Sequence, residues 1–269
     1  MLAADAMAEM NILGTPEPAV PHGPVRSSRP RDIGFAISAC AALAAYNNVI
    51  GKQPWHHRRY VLVNLCATGA ALSAAAASGL TAADLGLRPE AWRPGRRAAR
   101  LAAGVAIGWL LVAALPAARP VLKDKRIASL NGRAIAYHVL IRIPIGTVLW
   151  EEIAFRGVLQ AVLRRTMPER AAIMVTSGMF GVWHVRPTLE ALRVNGLAAD
   201  RKQAAARVLA GSSATAAGGV LLSWLRARSG SLTDPVLMHL ATNCGGQIAA
   251  WAVAKGWPPT RQPASLLAE

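Results

Sequence analysis

The chain alternates between long apolar segments and short polar or basic stretches. From Ile33 onward, the apolar segments approach the roughly 17 to 25 residues that an α-helix needs to cross a bilayer. They cover about 33–51, 60–80, 98–118, 135–163, 169–187, 205–225 and 232–254. The fourth is too long for one perpendicular span and contains Pro144 and Gly146, so we expect it to tilt, kink or divide in two. The pattern predicts an all-α fold, a polytopic transmembrane helical bundle of seven or eight spans.

The segment before the first predicted span has a different character. Residues 1–32 are polar, rich in proline and without periodicity, which predicts a flexible tail. We expect no cleavable signal peptide there, because no basic stretch precedes a short apolar run. The transmembrane helical domain is predicted to cover 33–257, and a short C-terminal tail to cover 258–269.

Composition supports a membrane protein and changes the interpretation of the charge. Of the 269 residues, 53% are hydrophobic and 16% are charged, with a mean hydropathy of +0.30. The net charge of +16 comes from lysines and arginines in short clusters between apolar segments, such as those at 93–100 and 123–126. This spacing is typical of loops at anionic lipid headgroups, so the lipid bilayer is an expected partner and nucleic acid is not. An alanine-rich soluble bundle is the alternative that composition alone leaves.

Three charges interrupt the apolar stretch "LWEEIAFRGVL" at 149–159. Each charged side chain at the centre of a membrane helix costs roughly 2.5 to 3.5 kcal/mol, so these side chains must face protein or a water-filled cavity. Glu152 and Arg156 are four residues apart and can pair on one helical face, whereas Glu151 points about 100° away. Glu151 is therefore a candidate general base in an apolar cavity. An ordinary surface ion pair is the alternative, but the apolar flanks disfavour it.

Two further polar pairs have the same spacing. Phe180 and His184 in "FGVWH" are four residues apart, and so are His239 and Asn243 in "HLATN". A single membrane histidine is as often a hydrogen-bonded packing residue as a functional one. Glutamate, histidine and asparagine on three separate predicted spans, however, indicate one shared polar site.

This set of residues is suited to hydrolysis of a peptide bond without a covalent intermediate. Glu151 could take a proton from water, His184 could hold that water, and His239 with Asn243 could donate hydrogen bonds to a developing oxyanion. Glu151, His184 and His239 could instead ligate a divalent metal such as zinc, and the spacing does not choose between the two. A transporter or proton relay could use the same buried groups. The sequence has neither the H-E-x-x-H motif of zincins nor a G-x-S-x-G elbow.

The motifs "EEIAFR", "FGVWH" and "HLATN" resemble those of the CAAX-protease and bacteriocin-processing family of intramembrane endopeptidases. Members of that family carry E-E-x-x-x-R, F-x-x-x-H and H-x-x-x-N in this order. The resemblance covers about 134–254, which is therefore the predicted catalytic core. It implies a catalytic set of six residues: Glu151, Glu152, Arg156, His184, His239 and Asn243.

The resemblance also assigns a role to each of these residues. It implies that Glu151 is the water-activating base and His184 its partner, while Glu152 and Arg156 hold the first motif in place. His239 and Asn243 would stabilise the oxyanion.

The resemblance leaves the cofactor open and restricts the partners. The family is described as metalloprotease-like, but a metal-free glutamate mechanism is also argued, so either zinc or no cofactor is implied. The expected substrate is a membrane-associated protein or peptide. The alanine- and arginine-rich composition is typical of a bacterial relative, a multi-pass protein of the cell membrane for which a CAAX substrate is doubtful. A catalytically silent immunity protein is the remaining alternative.

Overall fold

A computed structural model of the chain describes residues 30–89, 92 and 94–257. Every regular element within these residues is helical, which confirms the predicted all-α fold. The predicted C-terminal tail at 258–269 lies outside the described residues, as do residues 1–29 of the predicted N-terminal tail. Residues 30–32 of that tail already belong to the first helix.

The helices follow one another with short connections. In chain order they are α1 (Pro30–Asn48), α2 (Pro54–Arg58), α3 (Tyr60–Ala77), α4 (Ala82–Leu85), α5 (Arg96–Ala114), α6 (Lys125–Ala128), α7 (Gly132–Tyr137), α8 (Gln160–Thr166), α9 (Glu169–Trp183), α10 (Val185–Val194), α11 (Arg201–Ser229) and α12 (Thr233–Ala254). Two π-helical segments, π1 (His138–Leu149) and π2 (Glu152–Leu159), connect α7 to α8. Short 3₁₀ turns cover Ile50–Lys52 and Pro116–Leu122.

The long fourth apolar segment is one continuous helical run in the structure. Its backbone forms wider π-helical turns in the region of Pro144 and Gly146, where a kink was expected. Pro144 lies inside π1 and has no backbone N–H to donate. Such π-helical turns are rare and occur frequently at functional sites. Glu151 lies between π1 and π2, so the widened backbone flanks the candidate base on both sides.

Four helices among the described residues are long and apolar enough to cross a membrane: Pro30–Lys52, Tyr60–Ala77, Arg96–Ala114 and Arg201–Ser229. The predicted count of seven or eight spans is therefore not confirmed. The predicted segments 135–163, 169–187 and 232–254 are helical but are not in this set. The first of them carries several charges, and α9 has only 15 residues.

The charged helical run lies at the centre of the fold. Each residue from 150 to 163 is buried, whereas only 17 to 28% of each candidate span is. Helices α1, α3 and α9 pack around π2 and α8, α9 also packs along α11, and α5 packs along α12. Three of the four candidate spans, α1, α3 and α11, thus pack against the helical run that carries the charges.

Candidate functional site

The predicted pair of Glu152 and Arg156 is present and has no solvent exposure. Arg156 Nη1 donates to Glu152 Oε1 at 3.0 Å, and Nη2 donates to the carbonyl of Gly219 on α11 at 3.4 Å. The guanidinium also lies 4.1 Å from the centre of the Phe180 ring. Space is tight at Gly219, because a Cβ there would lie 3.3 Å from both Arg156 and Phe180. These contacts confirm the predicted pairing and lock the arginine between π2, α9 and α11.

His239 of α12 lies between the two glutamates and is 5% exposed. Its Nδ1 is 2.7 Å from Glu152 Oε1, and its Nε2 is 3.8 Å from Glu151 Oε2. The Glu152 oxygen already accepts from Arg156, so His239 Nδ1 is the donor in the shorter contact. Glu152 thus fixes the orientation of the imidazole, and the other ring nitrogen faces Glu151.

The two carboxylate oxygens of Glu151 have different surroundings. Oε1 accepts a hydrogen bond from the indole Nε1 of Trp183 at 3.1 Å. Oε2 is buried and has no hydrogen-bond partner among the described residues. The side chain is 6% exposed, so this oxygen faces the interior of the site. Trp183 thus holds one oxygen of Glu151, and the other lies 3.8 Å from His239 Nε2.

His184 lies at the junction between α9 and α10 and is half-buried. Its Nδ1 is 2.8 Å from the carbonyl oxygen of Phe180. A carbonyl only accepts, so Nδ1 carries a proton, and a neutral ring has its lone pair on Nε2. The Phe180 ring contacts both histidine rings, with centroid distances of 4.5 Å to His184 and 5.9 Å to His239. Phe180 is therefore the packing contact that joins the second and third motifs.

Asn243 lies one turn beyond His239 on α12 and is half-buried. Within the part of the chain that the structure describes, its amide makes no hydrogen bond to Glu151, Glu152 or His239. The structure therefore brings Glu151, Glu152, Arg156 and His239 into one connected group. His184 joins this group through Phe180 and Trp183, and Asn243 lies at its edge.

The family comparison matches this part of the molecule. The family described as Type II CAAX prenyl endopeptidase Rce1-like matches residues 134–245, a region that contains all three motifs. The match confirms the resemblance predicted from the motifs. It covers less than half of the chain and leaves α1, α3 and α5 outside. No curated protein and no solved structure matches the chain. The Rce1-like match supports a membrane protein with peptidase activity.

The predicted metal ligands do not form a ligand set in this arrangement. No group of three His, Cys, Asp or Glu side chains among the described residues could hold a metal ion. Nδ1 is engaged in both histidines, by the Phe180 carbonyl in His184 and by Glu152 in His239, and Nε2 is the ring nitrogen that remains available in each. The metal set of Glu151, His184 and His239 stays a prediction, and the Rce1-like match adds no support for a metalloprotease.

Trp183 is the contact residue that the motifs did not reveal. The predicted catalytic set does not include it, whereas in the structure its indole N–H donates to the candidate base. Its position directly before His184, inside "FGVWH", was the available signal. The α11 residue Gly219 was equally hidden, because only tertiary packing brings it to Arg156.

Proposed function

We propose that the protein is an intramembrane endopeptidase in which Glu151 activates the attacking water. The observation that carries this proposal is the asymmetry of the Glu151 carboxylate, with Oε1 held by Trp183 and Oε2 buried beside His239 without a partner. A held carboxylate with one free oxygen is oriented for proton abstraction. The Rce1-like match over the same residues supports the reaction class.

In the proposed reaction, a water molecule is held by Glu151 Oε2 and His184 Nε2. The water oxygen bonds to the carbonyl carbon of the substrate while one proton passes to Glu151. The amide of Asn243, and Nε2 of His239 when it carries a proton, donate to the developing oxyanion. The C–N bond then breaks, and the proton on Glu151 passes to the leaving nitrogen.

Glu152 and Arg156 take no part in proton transfer in this proposal. Arg156 balances the charge of Glu152, and Glu152 orients His239 through its Nδ1. Glu151 has no arginine partner of this kind among the described residues, and its Oε2 lies 3.8 Å from His239 Nε2. The proposal thus gives each of the two adjacent glutamates a different role.

The experiment compares cleavage by the wild type with cleavage by Glu151→Gln and His184→Ala in detergent micelles. Prenylated and unprenylated peptides are the substrates, and mass spectrometry detects the products. We expect Glu151→Gln to lower kcat by about 10² to 10⁴-fold, the usual contribution of a general base. The control is Glu190→Gln on α10, because the Glu190 side chain is 42% exposed and forms its ion pair with Arg186, 2.6 Å away, outside the group around Glu151.

Two outcomes count against the proposal. Cleavage by Glu151→Gln at the wild-type rate would remove Glu151 from the reaction. A wild type that cuts no peptide would favour the transporter or immunity alternatives. Treatment of the same sample with a chelator tests the metal alternative directly.

A further inference from the structure

The indole of Trp183 is held by aromatic rings on both sides. The ring of Tyr46 stacks on it at a centroid distance of 6.0 Å with an interplanar angle of 17°. Phe155 meets it edge-on at 5.6 Å and 75°, and Trp150 lies 6.4 Å away at 59°. The stacked ring of Tyr46 and the edge-on ring of Phe155 fix the plane of the indole. Its N–H is therefore aimed at Glu151 Oε1 by packing.

Two of the groups that hold Trp183 come from α1, outside the residues matched by the Rce1-like family. Tyr46 supplies the stacked ring, and its hydroxyl donates a hydrogen bond to Asn64 of α3. Asn47 donates from Nδ2 to the backbone carbonyl of Trp183 at 2.8 Å. Helix α1 thus contacts both the ring and the backbone of this tryptophan.

We infer that Trp183 is the positioning residue of Glu151: its N–H holds Oε1, so that Oε2 alone accepts the proton, and α1 holds Trp183 in place. This inference rests on the proposed function. The terminal torsion of a glutamate is broad, so a free carboxylate turns easily and presents either oxygen. A hydrogen bond to an ionised oxygen is about twice as strong as one between neutral groups, which is enough to select one orientation.

A neighbouring tryptophan provides the matched control. Trp150 is 5% exposed and contacts the same Tyr46 ring at 5.1 Å with an interplanar angle of 44°, but its Nε1 has no hydrogen-bond partner among the described residues. Trp183→Phe and Trp150→Phe therefore remove the same atoms from one aromatic cluster. Only the first breaks a hydrogen bond to Glu151.

The inference predicts a separation of kcat from KM. For Trp183→Phe we expect kcat to fall about 10- to 100-fold, the factor for a hydrogen bond to a charged group, with KM within about threefold of wild type. For Trp150→Phe we expect both constants to stay within about threefold of wild type. Equal losses of kcat in the two variants would overturn the inference, because a packing role affects both tryptophans alike.

A second measurement does not depend on cleavage. Trp183→Phe is made in the wild type and in Glu151→Ala, and the melting temperatures in detergent are compared. We expect the decrease to be larger in the wild type than in Glu151→Ala by about 2 to 4 °C, because only in the wild type does a buried carboxylate oxygen lose its donor. Equal decreases in both backgrounds would show that the indole does not act through Glu151. If the wild type cleaves nothing, the proposed function fails, and the melting temperatures still decide whether the two side chains are coupled.

Discussion

Helices α9 and α11 approach so closely at Gly181 that a single methyl group should separate them. A Cβ at Gly181 would lie 2.8 Å from the Cβ of Ala216 and 2.8 Å from the backbone oxygen of Ser212. Neither contact can relax by rotation of a side chain, because both belong to α11 itself. At Gly178, one turn earlier on α9, an added Cβ would have no atom of another described helix within 4 Å. The two glycines therefore allow a matched comparison on one helix.

The magnitude follows from the difference between the two substitutions. Replacing glycine by alanine inside a helix gains roughly 1 kcal/mol of helix propensity at either position. Overpacking costs typically about 1 to 3 kcal/mol and applies only at Gly181. We therefore expect Gly178→Ala to be neutral or stabilising, and Gly181→Ala to be less stable than Gly178→Ala by about 1 to 3 kcal/mol.

Denaturant titration in mild detergent, followed by tryptophan fluorescence, measures the free energy of unfolding of both variants. We also expect Gly181→Ala to lose activity, because α9 carries Phe180 and ends next to His184. Indistinguishable free energies for the two variants would refute the close approach of the helices. A Gly181→Ala variant that loses stability but keeps full activity would contradict the expectation that the packing of α9 on α11 positions His184.

Two other predictions concern charged groups. Arg156→Met should lower the free energy of unfolding by about 3 to 5 kcal/mol by leaving Glu152 buried without its cation, and adding Glu152→Gln should restore most of it. Additive losses in the same titration would contradict this coupling. Burial opposes ionisation of Asp84, but hydrogen bonds from Thr81 and the charge of Arg165 outweigh it, so the pKa of Asp84 lies below its ordinary 3.8. The resulting stabilisation is complete above the ordinary value and is lost as the pH falls through the lowered pKa of the folded state. The difference in melting temperature between wild type and Asp84→Asn should therefore be constant at neutral pH and shrink as the pH falls below about 5, and a difference that stays constant down to about pH 3 would contradict it.

The helical fold could be predicted because a long apolar segment is typical of a helix in a membrane protein, and this signal lies in the segment itself. The segments predicted at 60–80, 98–118 and 232–254 correspond to α3, α5 and α12 within a few residues at most ends. The number of spans could not be predicted in this way. A helix buried inside the bundle and a helix exposed to lipid are both apolar in sequence, and tertiary packing alone distinguishes them.

The site was predictable where its contacts are local in sequence. Glu152 and Arg156 pair as their four-residue spacing indicates. The position of His239 against Glu152 spans 87 residues and depends on how α12 packs against π1 and α5. The contact of Trp183 with Glu151 depends in turn on π2 and α9. Sequence spacing carries no information on such contacts. The residues of each motif could therefore be predicted, but not which residues of different motifs contact each other.

The buried ion pair is difficult to explain by stability alone. A pair such as Glu152 and Arg156 is often no more stable than apolar residues of the same volume. Here the pair also leaves Glu152 Oε2 and Arg156 Nε buried without hydrogen-bond partners among the described residues, which adds to its cost. What the pair provides is a fixed acceptor for His239 Nδ1 and a neutralised neighbour for Glu151. The charges at the centre of the helix are therefore best explained by the arrangement they impose on His239 and Glu151.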